Sequence, residues 1–214
     1  MLEALTGSSA RVVKLVPGAT AFFVCDIQER FRPVIHAYDS VMNTAEKMTK
    51  AAALLEVPVI VTEQNPKALG ATVPLSLEKL PKSLYRGAIA KTKFSMMLPE
   101  VEAQLKEWKT KSVVIFGIES HVCVLQTCLD LLERNYSVHI LADGVSSCNQ
   151  GEVGVALSRM QASGAQITTS ESALFQLMVD SSHPAFRRVS SLVKETKATT
   201  TSSLEALLQG KGKL

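Results

Sequence analysis

Three residues with chemically reactive side chains follow short apolar segments that are predicted to be strands. Asp26 and Lys91 come directly after such a segment, and Cys123 follows the apolar run at residues 113–116 after a turn at Gly117. The carboxyl ends of parallel strands meet at one edge of a sheet, so these side chains are expected to lie close together. Each residue alone has a plainer role, as a turn aspartate, a surface lysine or a small buried hydrophobe. Their coincidence at one edge indicates a site.

A carboxylate, an ammonium group and a thiol can together hydrolyse an acyl compound. Asp26 can take the proton of Cys123, and Lys91 can stabilise the thiolate. The thiolate then attacks a carbonyl carbon, and backbone N–H groups of Val122 and Cys123 at the predicted helix start can bind the oxyanion. Each such donor is worth roughly 3–4 kcal/mol in comparable sites. The leaving amine takes a proton from Asp26, and water hydrolyses the thioester. The sequence therefore predicts a cysteine hydrolase with an Asp26, Lys91 and Cys123 triad.

The elements that must position these residues alternate along the chain between strands and helices. Strands are predicted at residues 21–25, 58–61, 88–90, 113–116, 137–142 and 165–168. Helices are predicted at residues 39–55, 99–108, 122–135, 151–163, 170–178 and 184–194. This alternation is typical of a parallel sheet with right-handed crossovers. Residues 196–214 are rich in Ser, Thr and Lys and are predicted to be a tail, partly helical and able to dock on a partner subunit.

The composition is that of an ordinary globular domain. The chain has 214 residues, 46% of them hydrophobic and 20% charged, with a formal net charge of +3. The basic residues are scattered and only 5% of residues are aromatic, which disfavours a nucleic-acid partner. The longest apolar runs fall short of the ~18 residues that a membrane span needs, so no membrane partner is expected.

The cysteines and the two ends of the chain bear on location. Four cysteines without a C-x-x-C pair fit a reducing compartment, so an intracellular, cytoplasmic protein is expected. The last residues, Gly212-Lys213-Leu214, differ at one position from the S-K-L peroxisomal signal. The amino terminus is a weak transit peptide, which leaves a mitochondrial location open.

Three ordered motifs carry a resemblance to a known superfamily. They are Phe23-Val24-Cys25-Asp26-Ile27-Gln28 with Phe31, then Lys91-Thr92-Lys93-Phe94-Ser95, then Gly117-Ile118-Glu119-Ser120-His121-Val122-Cys123-Val124 followed by Thr127, Leu129 and Asp130. With them the chain resembles the isochorismatase-like cysteine hydrolases over about residues 12–195. It is most similar to the eukaryotic isochorismatase domain-containing proteins, which carry a loop like residues 62–67.

The resemblance implies a fold, a triad and an assembly. The fold is a three-layer αβα sandwich with a six-stranded, mainly parallel, Rossmann-like sheet in the order 3-2-1-4-5-6. A hydrolase domain is expected at residues 1–195, followed by the tail at 196–214. The family's triad falls on Asp26, Lys91 and Cys123, with Lys93 in support. A cis peptide is implied between Ile118 and Glu119. A homo-oligomer, a dimer or tetramer, is also implied.

Departures from better-known relatives concern the metal and the substrate. Nicotinamidases bind zinc through an Asp and two His after the second strand, whereas this chain has Thr62-Glu63-Gln64-Asn65-Pro66 there. We therefore expect no metal and no other cofactor, and nicotinamide is a doubtful substrate. A small amide or related C–N compound fits the retained thiol better. The predicted lining of the substrate pocket consists of Gln28, Phe31, Gln64, Lys93, Phe94 and His121.

Two other functions stay open from the sequence. A binding or scaffold protein can retain this fold without efficient turnover. A protein that acts on nucleic acid, such as a ribonuclease, is a further alternative because lysines are present in the tail, although no basic face with stacking aromatic residues is evident.

Overall fold

The computed structural model describes residues 12–208, and a six-stranded sheet lies at its centre. The strands are β1 (Thr20–Cys25), β2 (Val59–Gln64), β3 (Ala88–Lys91), β4 (Ser112–Ile118), β5 (Ser137–Ser146) and β6 (Gln166–Thr168). They are arranged in the order β3-β2-β1-β4-β5-β6, and every pairing between neighbours is parallel. The predicted fold class and strand order are confirmed.

Helices follow most of the strands and cover the sheet. They are α1 (Tyr38–Leu55), α2 (Pro66–Leu69), α3 (Pro99–Glu107), α4 (Leu125–Glu133), α5 (Gln150–Ala162), α6 (Ser170–Met178), α7 (Phe186–Glu195) and α8 (Lys197–Leu208). Short 3-10 turns occur at Glu29–Phe31 and Ser76–Lys79. None of the helices within residues 12–208 is both long enough and apolar enough to cross a bilayer.

Two apolar cores lie on opposite faces of the sheet, which explains why the central strands β1 and β4 are apolar or glycine at every position after their first residues, Thr20 and Ser112. Along β1, Phe22 belongs to one core and Phe23 to the other. Helix residues complete each core: Met48 of α1 belongs to the first core, and Leu131 of α4 belongs to the second. All six residues of β1 and all seven of β4 are buried. Successive side chains on a strand point to opposite faces, so a strand covered on both faces needs an unbroken apolar run.

β1 and β4 are neighbours at the point where the order of the sheet reverses. The register places Cys25 beside Gly117. A Cβ at Gly117 would lie 2.1 Å from the carbonyl oxygen of Cys25, and the φ of Gly117 is +126°. Only glycine fits this close approach and this backbone conformation. It brings the ends of two strands together, and these ends lead to Asp26 and to Cys123.

Several elements differ from their predicted bounds. β2 continues to Gln64 because its polar end still pairs with β3, and β5 continues to Ser146 beside β4 after an irregularity in register. Cys123 was expected on the first turn of a helix. It lies instead in a π-helical turn, Ser120–Val124, that precedes α4.

The segment that was set apart as a tail contains α8. This helix packs on α1: the Nζ atom of the buried Lys47 donates to Oγ1 of Thr200 at 2.8 Å. Leu207 belongs to the first apolar core. Residues 209–214, which include the peroxisome-like end, lie outside the described residues.

Candidate active site

Asp26 lies just beyond β1, with its carboxylate buried among donors. Its backbone adopts a positive φ of 50°, and the residue is 1% exposed. Thr62 Oγ1 donates to Asp26 Oδ1 at 2.8 Å, and Lys91 Nζ donates to Asp26 Oδ2 at 2.7 Å. Each carboxylate oxygen therefore has a donor, as a buried charge requires.

Lys91 is the last residue of β3 and connects the other groups. Its Nζ lies 2.7 Å from Asp26 Oδ2, 2.7 Å from Gln64 Oε1, 2.8 Å from the Phe94 carbonyl oxygen and 3.7 Å from Cys123 Sγ. An ammonium group has three hydrogens, and the three oxygens match them. The sulfur contact is longer and is mainly electrostatic.

Burial by itself lowers the pKa of Lys91. Attraction to the anionic groups around it, the Asp26 carboxylate among them, acts in the opposite sense, and the net pKa of Lys91 is raised above its ordinary value. Lys91 is therefore charged at neutral pH. A cation is held permanently between the carboxylate and the sulfur.

Cys123 is buried, and the side chain of Thr127 holds its turn. Thr127 Oγ1 donates to the Cys123 carbonyl at 2.6 Å and accepts the Met96 N–H at 2.9 Å. This links the cysteine to the segment after β3. The peptide bond between Ile118 and Glu119, just before the turn, is cis.

The turn also determines which backbone donors are engaged. The N–H groups of Val122 and Val124 both donate to the Glu119 carbonyl at 3.1 Å. Of the two expected oxyanion donors, Val122 thus already has an acceptor. An oxyanion hole at this turn is a proposal that rests on the Cys123 N–H.

Cys25 lies beside the triad, although it was not among the predicted site residues. It is fully buried, and its Sγ lies 3.8 Å from Asp26 Oδ2. Burial, together with a hydrogen bond to Cys123, raises the pKa of the Cys25 thiol well above its ordinary value. Cys25 is therefore a neutral donor at physiological pH. Its position next to Asp26 in the sequence was the available signal.

Two of the predicted pocket residues, Gln28 and Gln64, are linked to Lys91 by a chain of hydrogen bonds. Gln28 is fully buried, donates to the Gly70 carbonyl at 2.6 Å and accepts the Gln64 N–H at 2.7 Å. Gln64 in turn accepts from Lys91 and donates to the Thr92 carbonyl at 2.9 Å. Gln28 therefore acts through Gln64, which contacts Lys91 directly.

The other predicted pocket residues are more peripheral. Phe31 packs against the first apolar core. Lys93 pairs with Asp130 at 2.7 Å, away from the triad. Phe94 offers a half-exposed ring, while its carbonyl binds Lys91. Nδ1 of His121 and Oγ of Ser147 share a hydrogen bond of 2.9 Å.

A metal ion does not fit among Asp26, Lys91 and Cys123. Metal ligation needs the carboxylate and the thiolate to share one cation, and the ammonium of Lys91 already occupies that position, 2.7 Å from the carboxylate. The loop after β2 carries no histidine. The expectation that no catalytic metal is used stays a prediction.

Fold and site together define a parallel α/β protein with a buried carboxylate, ammonium and thiol at the switch point of its sheet. The model of the isochorismatase domain matches residues 20–172. This range includes Asp26, Lys91 and Cys123, and the chain belongs to the isochorismatase family.

Named relatives span animals and an oomycete. Isochorismatase domain-containing protein 1 of Salmo salar is 45% identical over 84% of this chain, and the match covers 62% of that relative's length. The secreted isochorismatase effector Isc1 of Phytophthora sojae (strain P6497) is 44% identical over 91% of this chain and 93% of its own.

Solved structures share the fold. The MAR1 ribonuclease of Caenorhabditis elegans is 40% identical, with a TM-score of 0.84 over 94% of this chain and 100% of its own. The YcaC gene product of Escherichia coli, described as an octameric hydrolase of unknown specificity, is 21% identical, with a TM-score of 0.76 over 90% of this chain and 97% of its own. At this identity, YcaC shows the fold alone.

Proposed function

We propose that the protein is a metal-independent cysteine hydrolase that cleaves a small amide or a related C–N bond. One observation carries the proposal: Lys91 Nζ lies 2.7 Å from Asp26 Oδ2 and 3.7 Å from Cys123 Sγ, with all three residues buried. A buried ion pair costs desolvation energy and contributes little to stability by itself. Its placement against a thiol favours a catalytic role.

The first half of the reaction forms a thioester. The thiol proton of Cys123 moves to the Asp26 carboxylate, and the Lys91 ammonium stabilises the resulting thiolate. Sγ bonds to the carbonyl carbon, and the Cys123 N–H binds the oxyanion. The C–N bond breaks as Asp26 gives its proton to the amine, which leaves.

The second half restores the enzyme. Asp26, again a carboxylate, takes a proton from water, and the hydroxide attacks the thioester carbonyl. The C–S bond breaks, the acid departs, and the thiolate recovers its proton from Asp26. One water is consumed for each amide. Lys91 stays protonated throughout because the pKa of its ammonium is raised.

The test measures ammonia or amine release from a panel of small amides, with isochorismate included as a non-amide compound. Cys123→Ala is expected to lower turnover by at least about 10³-fold, and a chelator is expected to leave it unchanged. Cys128→Ala is the matched control because Cys128 is buried in the same core as Cys123 and, within residues 12–208, its thiol makes no hydrogen bond to the triad. Turnover that survives Cys123→Ala, or that a chelator abolishes, contradicts the proposal.

A ribonuclease activity is the second candidate, because the MAR1 ribonuclease is 40% identical over its whole length. Phosphodiester cleavage needs acid and base groups and no thiol nucleophile, so RNA cleavage by this protein would survive Cys123→Ala. Its RNA affinity would also fall steeply with salt. A scaffold role is favoured instead if neither substrate class turns over and Cys123 reacts with iodoacetamide no faster than Cys128.

We also propose a homo-oligomer. YcaC, which shares the fold, is described as octameric. Light scattering on the purified protein gives the number of subunits, and a monomer at micromolar concentration would contradict an oligomer. A cytoplasmic location is likewise a proposal. The relative from Phytophthora sojae is named as secreted, so members of this family do not all share one location.

A further inference from the structure

Glu119, His121 and Cys148 form a second cluster of reactive side chains, separate from the triad. One ligand atom from each, a carboxylate oxygen, a ring nitrogen and a sulfur, lies within 4.8 Å of the other two. Glu119 and His121 belong to the turn after β4, and Cys148 follows the end of β5. The proposed hydrolysis uses none of the three side chains.

Hydrogen bonds connect the segment at residues 119–121 to the segment at residues 147–148. The Cys148 N–H donates to Glu119 Oε2 at 2.8 Å. Ser147 Oγ and His121 Nδ1 are 2.9 Å apart. Histidines that bind metal commonly have their other ring nitrogen held by such a partner, which orients the ring. Ser147 can therefore orient the His121 ring through Nδ1 and leave Nε2 as the nitrogen for a cation.

The spacing suits a small tetrahedral cation. Ligand distances of about 2.0–2.3 Å around zinc place neighbouring ligand atoms roughly 3.3–3.8 Å apart. From separations of at most 4.8 Å, the cluster needs to close by only about 1–1.5 Å at its widest. Glu119 and His121 are half-buried and Cys148 is exposed. Rotation of these side chains, without backbone movement, can supply that closure.

The mixture of ligand types selects the metal. Magnesium and calcium prefer oxygen ligands, whereas a set of thiolate, imidazole and carboxylate suits zinc. We propose that Glu119, His121 and Cys148 bind one Zn²⁺ ion, with a fourth position open to water or to another donor. Binding replaces the thiol proton of Cys148 with the metal and releases that proton to solvent.

No spacing in the sequence predicts this cluster. Two of its members are two residues apart, and the third comes 27 residues after His121, beyond α4 and β5. The parallel pairing of β4 with β5 brings the two segments together.

The experiment titrates the full chain with Zn²⁺ against a chromophoric chelator. The wild type is expected to bind one equivalent with a Kd of about 1 µM or below. Cys148→Ser and His121→Ala should each raise the Kd by more than about 100-fold, and Ser147→Ala by about 10-fold, as for loss of an outer partner. Cobalt bound to the wild type should show thiolate charge-transfer absorption that is absent from Cys148→Ser.

Three cysteine variants separate this site from other thiols. Cys123→Ser and Cys128→Ser should keep the zinc equivalent, while Cys148→Ser loses it. Zinc that disappears in Cys123→Ser would belong to the triad, and it would overturn the proposal. So would tight binding that survives Cys148→Ser, or a wild-type Kd weaker than about 100 µM. Thermal unfolding of each variant checks that it is folded.

Discussion

At the scale of single residues, the Asp26 carboxylate depends on two hydrogen-bond donors. Asp26 has one oxygen on Lys91 and the other on Thr62. The Thr62 hydroxyl is fully buried, so no water can replace it readily. Loss of this donor would leave a carboxylate oxygen unsatisfied in an apolar surrounding.

Thr62→Val keeps the shape of the side chain and removes the donor. We expect it to lower the free energy of unfolding by about 1–3 kcal/mol. It should also lower kcat/KM by about 10-fold or more, since 1.36 kcal/mol corresponds to a tenfold change in rate. Urea unfolding and steady-state kinetics measure the two effects.

Thr44→Val is the matched control. The buried Thr44 hydroxyl of α1 donates to the Asp143 carbonyl of β5 at 2.6 Å, and it makes no hydrogen bond to Asp26, Lys91 or Cys123 within the described residues. Thr44→Val should lower the free energy of unfolding by a similar amount and leave kcat/KM unchanged. Equal losses of kcat/KM in both variants would show that Thr62 affects turnover only through folding.

Sequence reasoning found the residues that end strands and missed those that depend on register. Asp26, Lys91 and Cys123 were predicted because each follows an apolar run. Thr62 reaches Asp26 because β1 pairs with β2 so that Cys25 lies beside Thr62. No pattern within one strand predicts which residue of its neighbour lies opposite.

At the scale of elements, the contact of β1 with β4 depends on the missing side chain of Gly117. Gly117→Ala should lower the free energy of unfolding by more than about 4 kcal/mol, because the added Cβ meets the backbone of Cys25, which cannot move aside. Denaturant unfolding of the purified variant measures the loss.

Two other glycines separate the clash from backbone strain. Gly164 has a φ of +108° with nothing within 4 Å of an added Cβ, so Gly164→Ala should cost about 1–3 kcal/mol. Gly151 lies in α5 with open space around an added Cβ, so Gly151→Ala should raise the free energy of unfolding by up to about 1 kcal/mol. A loss at Gly117 no larger than that at Gly164 would refute the steric argument.

The boundaries of elements followed local pattern only in part. The polar Thr62, Glu63 and Gln64 read as a loop, yet they continue β2 because β3 supplies their hydrogen bonds. The turn at Cys123 read as a helix start because its apolar spacing continues into α4. Pairing with β3 overrides local preference at the end of β2.

At the scale of the whole molecule, burial of an imidazole makes stability depend on pH. His139 of β5 is 1% exposed, and its Nε2 has no hydrogen-bond partner within residues 12–208. Burial lowers the pKa of His139 from 6.5 to about 4. Between about pH 4 and pH 6.5, His139 is therefore neutral in the folded protein and protonated in the unfolded chain.

Because the folded pKa is below the unfolded one, stability is fully present above pH 6.5 and falls as the pH drops from 6.5 to about 4. The loss from this residue is up to about 3 kcal/mol. His139→Leu should flatten the dependence in this window, measured by urea unfolding at several pH values. His183→Gln should retain the wild-type slope, and an unchanged slope in His139→Leu would contradict the assignment.

The reversal of strand order has a consequence for the chain during its synthesis. β1 can pair with β2, and β2 with β3, as soon as residues up to 91 have emerged, but the other edge of β1 stays open until β4 appears at residues 112–118. An unpaired apolar strand edge attracts other chains. The ribosome also delivers Asp26 first, Lys91 next and Cys123 last. A growing chain therefore exposes an unpaired strand edge for a time, and Cys123 joins the site only after β4, which closes that edge, is complete.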